Sequence, residues 1–155
     1  MKKKIIIAAV GNLTQSWAVI ADDYIRRIER VFTLETIIIR ENRLPPENSG
    51  GYEKELQKIF FSLIPSKAGL GVCSPEGKSL DSPGFSRLIF SQFEKNDCLV
   101  FAVGGGQGIP EAVKKKADTI LSFSNMVFPH MLFRIMLFEQ IYRAITIRNH
   151  HPYHK

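Results

Sequence analysis

The sequence predicts an α/β fold: a mainly parallel sheet flanked by helices. Two observations carry this. Apolar, often β-branched runs alternate with amphipathic segments, and glycine- or proline-rich breaks follow the apolar runs. Residues 5–10 read as the first strand, ended by Gly11-Asn12. Over residues 16–30, Trp17, Ile20, Tyr24 and Ile28 fall near helical spacing, with Val31 just beyond. Residues 34–40 are β-branched and strand-like. Residues 41–51 form a loop, marked by Pro45-Pro46 and Gly50-Gly51. Residues 52–64 are helical and Pro65 stops them. A weak strand covers 69–73, and 75–83 read as a turn-rich loop around Gly77-Lys78. A helix follows over 85–95, then a buried strand over 98–103. After the glycine loop 104–108, Pro110 suits the first turn of a helix ending near 116. A short strand covers 119–123, Pro129 suits another helix start, and residues 131–147 form the last helix. The tail, 148–155, has no period. Without repeats or a linker, residues 1–155 read as one domain.

Composition narrows the function classes. Hydrophobic residues make up 45% of the chain, enough for a core and too many for a disordered tail. The most apolar segment, 131–147, is interrupted by Arg134, Glu139 and Arg143, which argues against a membrane span. The basic start Lys2-Lys3-Lys4 and its short apolar run fit a first strand better than a signal peptide. Cys73 and Cys98 lack metal-like spacing, so a reduced, cytoplasmic setting is expected. The formal net charge is +6, and its location matters more than its size. Residues 114–155 hold seven Lys/Arg against two acids, a net of +5, together with all four histidines. A basic surface gathered in one segment favours a polyanionic partner such as nucleic acid.

In a parallel sheet, ligands bind beyond the carboxyl ends of the strands. Residues 73–78, 104–108 and 123–128 all fall there. The loop Gly104-Gly105-Gly106-Gln107-Gly108 precedes a helix, where free backbone N–H groups are available. It matches neither a Walker loop nor G-x-G-x-x-G. Small polar and large apolar residues mix over 121–130, a composition able to wrap an adenine and equally able to be a buried connection. The last helix is apolar nearly all round. It therefore needs burial on two sides, from a partner subunit or from a central place in the core. Arg134 and Arg143 stand out on it, each able to pair with Glu139 or reach a phosphate. In the tail, His150, His151 and His154 lack a Cys or acidic companion, so no metal site is expected. A basic, aromatic tail suits RNA, with Tyr153 able to stack on a base.

Three stretches in order, 122–130, then Arg134 with 139–144, then His151-Pro152-Tyr153-His154, resemble the C-terminal signature of the RlmH family. Those are small SPOUT methyltransferases acting on N3 of a pseudouridine in helix 69 of 23S ribosomal RNA. Upstream, Gly77-Lys78 with Ser82, and Gly104-Gly105 with Gly108, also fit. Ala9-Val10-Gly11 and residues 24–27 fit loosely.

The resemblance implies a C-terminal trefoil knot, a rare exception to unknotted topology, and a homodimer. It implies S-adenosylmethionine as cofactor, held by Cys73, Gly104, Phe123, Ser124, Asn125, Met126, Val127 and Phe128. It places Tyr153 and His154 at the substrate, with His154 the candidate base and Tyr153 positioning the uracil ring. Arg134, Arg143, His151 and Lys155 are the expected RNA contacts, and the ribosome the expected partner. Five positions depart from the family. Cys73 replaces a usual leucine, Ser74 a common acid, Gly106-Gln107 the Pro-Glu of some members, and His150 an asparagine. None removes a group that methyl transfer requires. The competing readings are a non-catalytic ribosome-binding protein of the same fold and a SPOUT enzyme acting on transfer RNA.

Overall fold

The first strand, β1 (Lys4–Val10), sets the architecture through its alternation. Ile5, Ile7 and Ala9 join one apolar cluster while Ile6, Ala8 and Val10 join another. A strand buried on both faces needs helices on both. The computed structural model describes residues 1–155 and supplies them. Its elements continue as α1 (Gln15–Ile28), β2 (Thr33–Ile39), a 3₁₀ turn (Glu41–Arg43), α2 (Gly50–Leu63) and β3 (Ala68–Ser79). Then come α3 (Ser82–Lys95), β4 (Cys98–Val103), α4 (Glu111–Lys115), β5 (Thr119–Ser122) and α5 (His130–Arg148). The five strands are all parallel, in the order β2-β1-β4-β3-β5. Residues of α1, α3 and α5 build the core on one face, and those of α2 and α4 build it on the other. No helix is long and apolar enough to cross a membrane.

Two expectations change. Residues 75–83 are not a turn-rich loop: β3 runs to Ser79 and α3 already begins at Ser82. The reason is tertiary pairing. Gly71, Val72 and Cys73 pair with β5, the register breaks, and Lys78 and Ser79 pair again with Leu121 and Ser122. Gly77 serves this crossing rather than a turn. A Cβ there would stand 2.6 Å from the backbone N and C of Leu121, inside any permitted contact. Asp81 then caps α3, its carboxylate accepting from Gly84 N at 2.7 Å, with Pro83 in the first turn. The second change concerns α5. Its apolar girdle is explained within one chain, because α5 packs against both α1 and α3. It is the central core helix of the two alternatives, so its composition does not itself require a partner subunit.

The end of α5 is a Schellman motif. His150 N donates to Ile147 O at 3.2 Å, and His151 N to Thr146 O at 2.9 Å. The motif needs a left-handed residue, and His150 takes that place with φ 53°. A side chain there costs roughly 1–2 kcal/mol against glycine. His150→Gly is therefore expected to stabilise the protein by about 1 kcal/mol, read as a higher urea midpoint. An unchanged or lower midpoint contradicts the strain.

Candidate functional site

The carboxyl ends of β4 and β5, with Cys73–Pro75 in the middle of β3, surround a cavity of about 480 Å³. Cys73, Gly104, Phe123, Ser124, Met126, Val127 and Phe128 all line it, together with Ser74 and His130. Of the eight residues expected at the cofactor, only Asn125 stays outside, exposed on the loop. Hydroxyls shape that loop: Ser122 Oγ donates to Ser124 O and Met126 N donates to Ser124 Oγ, both at 2.9 Å. Met126 and Val127 are consequently held out into solvent, 72% and 82% exposed. The Cys73 thiol is buried and pushed up to about 12 by desolvation, so it is an apolar wall and not a nucleophile. Glu76 accepts from Lys114 and from Ser74 Oγ. Those partners hold its carboxyl down to about 2, so it stays ionised.

The glycine loop is closed on itself. Gly108 N donates to Gly105 O at 3.1 Å, and Gly108 has φ 73°. A Cβ on Gly104 would strike Gly108 backbone at 2.6 Å, so Gly104→Val breaks the loop rather than merely filling a ligand's space. Gly106 also lines the cavity, and a Cβ there would meet nothing within 4 Å. Gly106→Val therefore adds bulk at a position where a Cβ has open space. It is expected to keep the wild-type urea midpoint and weaken S-adenosylhomocysteine binding at least tenfold, about 1.4 kcal/mol, in titration calorimetry. Unchanged affinity moves the ligand elsewhere.

A second cavity, about 620 Å³, lies on the other side of Leu121, Ser122 and Phe123, which line both. Phe123 is packed there against Phe133 at 4.8 Å and Phe85 at 5.8 Å between ring centroids. The tail closes this second cavity, with His154, Glu139 and Tyr24 in its wall. Glu139 is the hub. It pairs with Arg143 Nη2 at 2.6 Å and accepts from Tyr153 Oη at 3.1 Å. The Arg143 guanidinium lies 4.8 Å from the Tyr153 ring centroid, and its Nη1 is 3.3 Å from His154 Nδ1. Arginine can only donate, so Nδ1 is the acceptor and a neutral His154 carries its proton on Nε2. Burial first, then the Glu139 charge, push the Tyr153 phenol up to about 12. Tyr153 is thus a neutral hydrogen-bond donor.

Comparison with known proteins gives the family. Residues 1–154 match the family described as "Predicted SPOUT methyltransferase". This chain belongs to the SPOUT methyltransferase family. It is 38% identical over 152 residues to the "Ribosomal RNA large subunit methyltransferase H" of Mycoplasmopsis agalactiae, covering 98% of this chain and 99% of that one. It is 36% identical over 162 residues to the protein of that name from Streptococcus agalactiae, covering all of both. The Chromobacterium violaceum protein of that name is 36% identical over 159 residues, covering 98% and 99%.

Within this SPOUT methyltransferase, the four expected RNA contacts separate. His151 and Lys155 are exposed, and Arg143 is half-buried beneath Tyr153. Arg134 is a correction. It is wholly buried, and its Nη2 donates to Val10 O at 3.2 Å and Gly11 O at 2.9 Å. It neither reaches a phosphate nor pairs with Glu139; it ties α5 to the end of β1, with Nε and Nη1 unpartnered. Burial pulls its guanidinium down to about 10. The Glu139–Arg143 pair that the sequence offered is present, and both Glu139 and Tyr24 prove to be wall residues of the second cavity. The signal for Glu139 was its i,i+4 spacing to Arg143. Tyr24, one of the loosely fitting residues 24–27, was given no role there, and it meets the tail only through the α1–α5 packing.

Proposed function

We propose that this chain methylates N3 of a pseudouridine in helix 69 of bacterial 23S ribosomal RNA, in the ribosome, using S-adenosylmethionine. The observation that carries this reading is the paired arrangement of cavities. A glycine-loop cavity of nucleoside size adjoins, across Phe123, a second one whose wall includes His154 of the aromatic and basic tail. The cofactor fits the first: backbone of the glycine loop on one side, and the apolar loop residues 123–128 on the other. Once bound, its sulfonium supplies the methyl group. The protein must align N3 with that methyl and accept the N3 proton. Tyr153 orients the uracil ring, and His154 takes the proton. Arg143, His151 and Lys155 face the RNA.

His154 Nδ1 is occupied by Arg143, so His154 accepts a proton only after the tail leaves Glu139 and Arg143. Met126 and Val127 on the loop, and Val19 and Ile20 on α1, are exposed apolar side chains available to a second copy. A homodimer lets one subunit's tail lie over the other's cofactor. The tight passage of Gly77 against Leu121 suits a threaded, knotted C-terminal half within one cytoplasmic domain. The test is methyl transfer from labelled S-adenosylmethionine to ribosomes lacking the modification. The expected product is 3-methylpseudouridine in helix 69. Label appearing in transfer RNA instead, or none at all, contradicts the reading.

A further inference from the structure

The C-terminal half of α1 carries a feature that the methyl-transfer site does not use. Arg26, Arg27 and Arg30 gather with Asp23 and Tyr142 around a surface cleft of about 260 Å³. Arg27 is fixed: its Nη2 pairs with Asp23 at 2.9 Å, and its guanidinium lies 5.4 Å from the Tyr142 ring centroid. Arg26 and Arg30 are exposed and have no acidic partner. One carboxylate among three guanidiniums leaves two positive charges uncompensated. Arg26 stands in the last turn of α1 and Arg30 just past its end, so two like charges lie close together in the chain. The helix carboxyl terminus favours cations near it, but that alone does not gather three arginines and a tyrosine around one cleft.

The cleft is continuous with the tail. Tyr142 meets Tyr153 edge-on at 4.9 Å, and Tyr153 and Arg143 lead to His154 in the second cavity. We propose that this arginine cleft is a phosphodiester-binding site that seats the RNA strand flanking the target nucleotide. Planar guanidiniums suit phosphate oxygens, and phosphate contacts set register without reading sequence. This inference rests on the RNA-methyltransferase reading and adds the place where the RNA backbone docks.

The test is the double variant Arg26→Gln/Arg30→Gln, with Arg27 kept because it joins α1 to α5. Binding of a 23S fragment containing helix 69 is measured against salt. Losing two phosphate contacts lowers the slope of log affinity on log salt by about 1.4 for single strands, or about 1.8 for duplex. The variant is expected to show that drop and a raised KM, with kcat at saturating ribosomes and S-adenosylhomocysteine affinity unchanged. The charge-keeping variant Arg26→Lys/Arg30→Lys is expected to retain the wild-type slope. A slope unchanged in the glutamine variant, or lost equally in the lysine variant, overturns the site. So does a defect confined to intact ribosomes, which would assign the cleft to a ribosomal protein. If the wild-type chain itself neither binds nor methylates the RNA, the parent reading fails and this one falls with it. An active wild type beside an unchanged variant slope rejects this site alone.

Discussion

Gly77→Ala is expected to cost about 3 kcal/mol of stability, or to leave the chain unable to fold. The added Cβ meets main-chain atoms of Leu121 at 2.6 Å, and of Ile120 at 2.7 Å. Backbone in a paired strand has no rotamer with which to yield. Two ladders flank the crossing, so moving it disturbs Cys73↔Leu121 on one side and Lys78↔Leu121 on the other. Urea denaturation reads the effect. Gly106→Ala is the control, since its Cβ meets nothing, and it is expected to unfold with the wild type. A Gly77→Ala midpoint equal to that control means the crossing is looser than these distances require.

His154→Ala is expected to slow single-turnover methyl transfer roughly 10²–10⁴-fold while leaving S-adenosylmethionine affinity intact. The separation follows from the geometry: His154 lines the second cavity and not the glycine-loop cavity. Tyr153→Phe keeps the ring that stacks under Arg143 and removes only the donation to Glu139, so a milder loss is expected. The measurement uses saturating ribosomes, so that weakened RNA binding does not pass for slowed chemistry. A wild-type rate for His154→Ala would mean that the proton leaves to solvent or to another group.

Much of the fold was legible because burial on both faces leaves a plain mark. The strand over 98–103 was read to the residue, and β1 needed one more residue at its start. Periodicity failed where pairing partners lie far apart in sequence. Residues 75–79 carry a proline and a glycine, and on local chemistry they turn; pairing with Leu121 and Ser122 extends them instead. The candidate site was legible where composition is unusual, at the glycine loop and at residues 123–128. The tail was legible as chemistry but not as position, because the contacts of Glu139 with Tyr153 span fourteen residues through a tight cap. Arg134 misled for a related reason. An arginine on an apolar helix suggests an anion, whereas its partners are two carbonyls more than a hundred residues away.

Whether this SPOUT methyltransferase modifies helix 69 is tested most directly by mass spectrometry of ribosomal RNA from a strain lacking the protein. One methylpseudouridine in the large-subunit RNA is expected to disappear. The wild-type protein is expected to restore the modification, and the His154→Ala protein is not. An unaltered methylpseudouridine in the deletion strain, with every other modification also in place, would contradict the proposed function.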